Sequence, residues 1–112
     1  MNNKSKQALK YFRGSEGYNC AQAIVKVFED NPEILQKLKK YGGGRAPNNM
    51  CGALYAALYL LDDDIKSKEI LSNDFKKQAG HIACREIRKS GKTPCRECVR
   101  IAAELVGEHK KT

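Results

Sequence analysis

The sequence predicts an all-α fold: a single-domain bundle of about five or six short helices spanning residues 1–112. Three observations lead there. Apolar residues recur at spacings of three and four, and no stretch sustains period-two alternation. Helix starts and breakers punctuate the chain at short intervals, among them Asn19, Asn31-Pro32 and Thr93-Pro94. No internal repeat or long linker divides the chain, and its length suffices for one core.

Lys4 to Arg13 reads as the first helix, with Ala8, Leu9 and Phe12 on its apolar stripe and Gly14 as its stop. Asn19 can cap a second helix from Cys20 to about Glu29, with Cys20, Ile24, Val27 and Phe28 inward. Asn31-Pro32 ends it and starts a third, Glu33 to about Lys40, burying Ile34, Leu35 and Leu38. A glycine turn, Gly42 to Gly44, then leads past Arg45 to a fourth helix from Cys51 to about Leu61, capped by Asn48 or Asn49. Gly52, Ala53, Ala56 and Ala57 give this helix a face of small residues, open to close approach by another helix of the chain or of a homodimer partner. Cys51, Tyr55 and Tyr59 share a neighbouring stripe. Asp62-Asp63-Asp64 reads as a solvated turn and cap. Ile65 to Lys89 is helical with one interruption, near Ser72-Asn73 or Gly80, and points Ile70, Leu71, Phe75, Ala79, Ile82, Ala83 and Ile87 inward. After a turn at Ser90-Gly91-Lys92, Thr93 as cap and Pro94 as first residue open the last helix, which runs to about Glu108.

Composition excludes several classes. Hydrophobic residues make up 41% and charged residues 30%, a globular balance rather than a disordered one. The longest apolar run, Ala53 to Leu61, is half of what a membrane span needs. The polar N-terminus has no apolar signal core, so a cytoplasmic location is expected. A net charge of +8 raises nucleic acid as a partner. The basic residues are spread along the whole chain, however, with no aromatic interleaving, which reads as a solvated surface.

Five cysteines are many for a cytosolic chain, where stable disulfides are rare. Three of them, Cys20, Cys51 and Cys95, fall at expected helix starts, where the helix dipole and unpaired N–H groups favour a thiolate. Cys84 falls inside a helix and reads as a buried partner sulfur. Thiolates attack disulfides and bind soft metals. A competing pattern is His81-x2-Cys84 followed, after a spacer of ten residues, by Cys95-x2-Cys98. Two close pairs of nitrogen and sulfur donors are what a tetrahedral zinc site uses. His81 alone reads equally as a surface or capping residue.

Taken together, these residues resemble a family named for its cysteine pattern, C_GCAxxG_C_C, and grouped as redox-active on the strength of those cysteines. Gly17-Tyr18-Asn19-Cys20-Ala21-Gln22-Ala23 resembles its opening motif, and Gly42-Gly43-Gly44 leading to Cys51-Gly52-Ala53 its central CGAxxG element. Phe75, Gly80 and Cys84-Arg85-Glu86-Ile87 resemble the third block, and Cys95 with Cys98-Val99 the fourth. The resemblance puts the family's four cysteines on Cys20, Cys51, Cys84 and Cys95. It leaves Cys98 as an extra, where the pattern more often has an aliphatic residue, and puts Ala56 where the motif has glycine.

The resemblance names a class and not a reaction. Thiols at several helix starts beside the glycine turn point to a cytosolic thiol redox protein without a cofactor, with Cys51 as the exposed thiolate and Cys20, Cys84 or Cys95 resolving it. The redox partner is not specified. The alternative is a metal module holding zinc or an iron–sulfur cluster on Cys20, Cys51, Cys84 and Cys95, or zinc on His81, Cys84, Cys95 and Cys98. A third reading is a helical interaction domain whose cysteines only pack.

Overall fold

The computed structural model describes residues 3–15, 17–41, 50–61, 64–91 and 93–109. Among them the chain forms seven α-helices and no strand: α1 (Asn3–Tyr11), α2 (Cys20–Phe28), α3 (Pro32–Leu38), α4 (Gly52–Leu60), α5 (Ile65–Ala79), α6 (Cys84–Ser90) and α7 (Cys95–His109). A short 3-10 turn, Lys39–Tyr41, extends α3. The expected all-α bundle is seen, with more helices than five or six because the long fifth segment is divided. The break falls at Gly80, whose φ of 96° is left-handed and free of strain only for glycine. The glycine turn at 42–44, Arg45 and the Asn48 and Asn49 caps lie outside the described residues, as do Asp62 and Asp63.

Local chemistry sets the helix starts. Asn19 closes a capping box: its Oδ1 accepts from Gln22 N–H at 2.8 Å, and Gln22 Oε1 accepts from Asn19 N–H at 3.0 Å. The Asn19 amide also donates to the Leu38 and Lys39 carbonyls, at 3.2 and 2.9 Å, which ties the start of α2 to the end of α3. Asn31 caps α3, with Pro32 in its first turn. Asp64 caps α5 by accepting from Ser67 N–H at 3.0 Å. Pro94 stands just before α7, where its carbonyl accepts from Cys98 N–H at 3.2 Å.

The core lies around α7, which packs against α1, α2, α4 and α5. Its Val99, Ala102, Ala103 and Val106 are fully buried, with Ile24, Leu54, Leu71 and Phe75 from the other helices. The small face of α4 is used within the chain. Ala53, Ala56 and Ala57 are fully buried, as are Ala21 and Ala23 on α2, which packs against α4. Ile70 departs from expectation: it is 46% exposed on the outer side of α5, because Leu71 and Phe75 already fill the inner stripe. Val27, Phe28, Ile34, Ile82 and Ala83 are likewise only half-buried.

Two isolated bridges join the segments between helices. Phe12 pairs with Tyr18, and Met50 pairs with Ala83. Through the second, Cys51 N–H donates to the Ile82 carbonyl at 2.8 Å. The residues that lead into α4 and α6 therefore run side by side, each ending in a cysteine.

Candidate functional site: a cavity lined by five cysteines

Four helices begin around one small cavity. Cys20 is the first residue of α2, Cys84 of α6 and Cys95 of α7, while Cys51 immediately precedes α4. Cys84 was expected within a helix. It starts one instead, because Gly80 ends α5 and Ala83, extended and bridged to Met50, precedes the next helix. Cys20, Cys51, Cys84, Cys95 and Cys98 all line the cavity, with Ile87, Arg88 and Thr93 at its sides. All five are free thiols. The cavity encloses about 20 Å³, room for roughly one water molecule.

Gly52 lets the sulfurs come this close. A methyl group on its Cα would stand 2.7 Å from Cys20 Sγ and 2.7 Å from the Tyr41 carbonyl oxygen. The glycine that follows Cys51 is thus a seat for the Cys20 sulfur.

Burial divides the thiols. Cys51 and Cys98 are 4% and 3% exposed, Cys84 is 6% and Cys20 8%; only Cys95 is half-exposed. The expectation of an exposed Cys51 thiolate is therefore corrected. The neighbouring Cys98 thiol, hydrogen-bonded to it, and burial hold the Cys51 proton well above the usual range. The N–H groups of Leu54 and Ala53 pull the other way, as a helix start should, but are outweighed. Burial, then the nearby Cys51 and Cys95, push Cys20 up to about 12, against the Ala21 N–H. Burial raises Cys84 as well, partly offset by the Arg88 guanidinium. The helix starts act with the expected sign, but burial, and at Cys51 first the Cys98 thiol, outweigh them.

Arg88 lies one turn after Cys84 on α6, and its Nη2 donates to Cys95 Sγ at 3.9 Å. Its own charge is reinforced, first by that hydrogen bond and then by Cys84. The cation beside the outermost sulfur is thus Arg88. The signal for it in the sequence is its spacing of four from Cys84, which places both on one face of a helix. Cys98, set aside as an extra, is a full member of the group because it lies three residues, nearly one turn, after Cys95.

His81 is not among the cavity residues. Its Nδ1 accepts from Ala83 N–H at 3.0 Å, a local turn contact. Among the described residues, no three His, Cys, Asp or Glu side chains are arranged to hold a metal ion. Among the described residues, no helix is long and apolar enough to cross a membrane.

The fold and the cavity together define a small helical protein that converges free thiols from several helix starts. A family model described as "Putative redox-active protein (C_GCAxxG_C_C)" matches residues 18–109. The chain belongs to that family. Comparison with curated proteins and with solved structures found no match.

Proposed function

We propose that this protein carries out thiol–disulfide exchange, with Cys95 as the entering thiol and Cys84 as its first resolving partner. The observation that carries this reading is the graded exposure of five sulfurs around one cavity, with a single half-exposed thiol at its mouth beside Arg88. A guanidinium at that position stabilises negative charge as it develops on sulfur.

The Cys95 sulfur attacks one sulfur of a partner's disulfide and releases the other as a thiolate. The Cys84 sulfur then attacks Cys95, forming Cys84–Cys95 and releasing the second thiol. Two protein thiols are oxidised, one disulfide is reduced, and the two protons pass to the released thiolates. Cys20, Cys51 and Cys98 lie behind this pair as buried thiols that can exchange inward without meeting solvent. Five free thiols suit a reducing compartment such as the cytoplasm.

Ligation of zinc or of an iron–sulfur cluster by the same sulfurs is the second reading. It would require them to close around one point, an arrangement not found among the described residues. The test is a thiol count and a peptide map before and after stoichiometric oxidation. The expected result is a loss of two thiols and a Cys84–Cys95 linked peptide, with helicity retained. Five persisting thiols in a folded protein would refute the reading. Elemental analysis of anaerobically purified protein tests the metal alternative.

A further inference from the structure

The cysteine cavity is too small to admit a substrate, so chemistry with another molecule takes place at its mouth. Outside that mouth lies an open groove of about 530 Å³, lined by Phe12, Arg13, Arg88, Pro94, Cys95 and Arg96. Cys95 and Arg88 belong to both spaces. This volume is in the range of small-molecule sites.

The groove has a distinct chemistry. Among the described residues that line it, three of six are arginines, none is acidic, and Cys95 is the only sulfur. Among the described residues, none of the three arginines makes an ion pair. The acidic neighbour Glu97 is engaged by Arg100 at 2.9 Å instead. Arg13 is further distinguished by its backbone. Its φ of 55° is left-handed, a conformation that a side chain resists, and it is held there by its N–H donating to the Tyr18 carbonyl at 2.9 Å. Its guanidinium lies 5.0 Å from the centre of the Phe12 ring. Phe12 and Pro94 supply apolar surface between the charges.

We propose that this groove binds low-mass disulfides bearing two carboxylates, and that these are the oxidised substrates delivered to Cys95. The proposal rests on the thiol-exchange reading above and adds the substrate class. Guanidinium forks match carboxylates in shape and charge, so Arg13 and Arg96 grip the two ends while the disulfide crosses the Cys95 sulfur. Attack by Cys95 forms a mixed disulfide with one half and expels the other as a thiolate, with Arg88 beside the sulfur. Cys84 then displaces the bound half. The substrate leaves as two thiols, and its two electrons have come from Cys84 and Cys95.

The experiment measures the rate at which the reduced full chain reacts with three disulfides. These are 3,3′-dithiodipropionate, neutral 2-hydroxyethyl disulfide and cationic cystamine, each normalised to its rate with 2-mercaptoethanol. Mass spectrometry locates the adduct. At low salt the dianion is expected to react about tenfold faster than the neutral disulfide, and cystamine more slowly still. Arg13→Ala/Arg96→Ala should bring the ratio close to one. Lys76→Ala/Lys77→Ala, which removes the same charge from exposed positions on α5, should leave it intact. Equal normalised rates for the three disulfides would overturn the groove proposal while leaving thiol exchange standing. So would an equal loss of preference in the lysine variant, since net charge alone would then explain it. Failure of all three disulfides to form the Cys84–Cys95 bond would overturn both.

Discussion

Gly52→Ala tests whether the glycine after Cys51 is there to seat the Cys20 sulfur. The added methyl would lie 2.7 Å from Cys20 Sγ and 2.7 Å from the Tyr41 carbonyl oxygen, where ordinary contacts begin near 3.4 Å. Each neighbour must therefore retreat by several tenths of an ångström. The Cys20 side chain has one rotatable bond and stands among buried residues; the Tyr41 oxygen is backbone and moves only with its chain. Overpacking of this kind costs about 1–3 kcal/mol. Alanine's better helix propensity returns at most about 1 kcal/mol and less at a first turn, leaving a net loss of about 1–2 kcal/mol. With a urea slope of about 1–3 kcal/mol per molar, the midpoint should fall by about 1 M. Urea unfolding followed by circular dichroism measures this. An unchanged or raised midpoint would refute the assignment of Gly52 as a steric seat.

Other consequences follow from the same geometry. Cys20, pushed up from 9.0 to about 12 in the folded chain, keeps a proton that the unfolded chain releases above pH 9. Its contribution is thus fully present below about pH 9 and is lost as pH rises towards 12, by up to about 1.4 kcal/mol per pH unit. Cys20→Ala should remove that slope, so urea midpoints of the two proteins at pH 8 and pH 10 should converge as pH rises; parallel curves would contradict the buried neutral thiol. Arg88→Ala should slow alkylation of Cys95 at neutral pH by about fivefold, since a unit charge at 4 Å is worth about 1 kcal/mol in water. Arg88→Lys should recover part of that rate. Asn19→Ala removes the cap of α2 and its two bonds to α3, and should cost about 1–2 kcal/mol by thermal or urea unfolding.

Much of the scaffold was legible in the sequence because its signals are local. Asn19, Asn31-Pro32 and Asp64 cap helices through atoms two or three residues away, and Gly80 breaks the chain by its own backbone freedom. Which cysteines share a cavity depends on longer-range events. The Met50–Ala83 bridge and the packing of α4 on α2 have no periodic signature. The exposed role expected of Cys51 failed for the same reason. Helix-start electrostatics can be read from a few residues, whereas the burial that overrides them is a property of the whole fold. Cys98 and Arg88 were within reach through helical spacing from Cys95 and Cys84. Phe12 and Arg13 were not, since the packing of α1 against α7 brings the end of α1 to the same groove.

Equilibration of the chain with dithiol–disulfide buffers of graded potential, read as free thiols per molecule, bears most directly on the claim that these clustered sulfurs exchange electrons. The account predicts a two-electron transition that removes two thiols and spans about 30 mV per tenfold change in ratio. That transition should disappear in Cys95→Ser with the fold intact. Five thiols unchanged across the whole range, in a protein that remains helical, would contradict it.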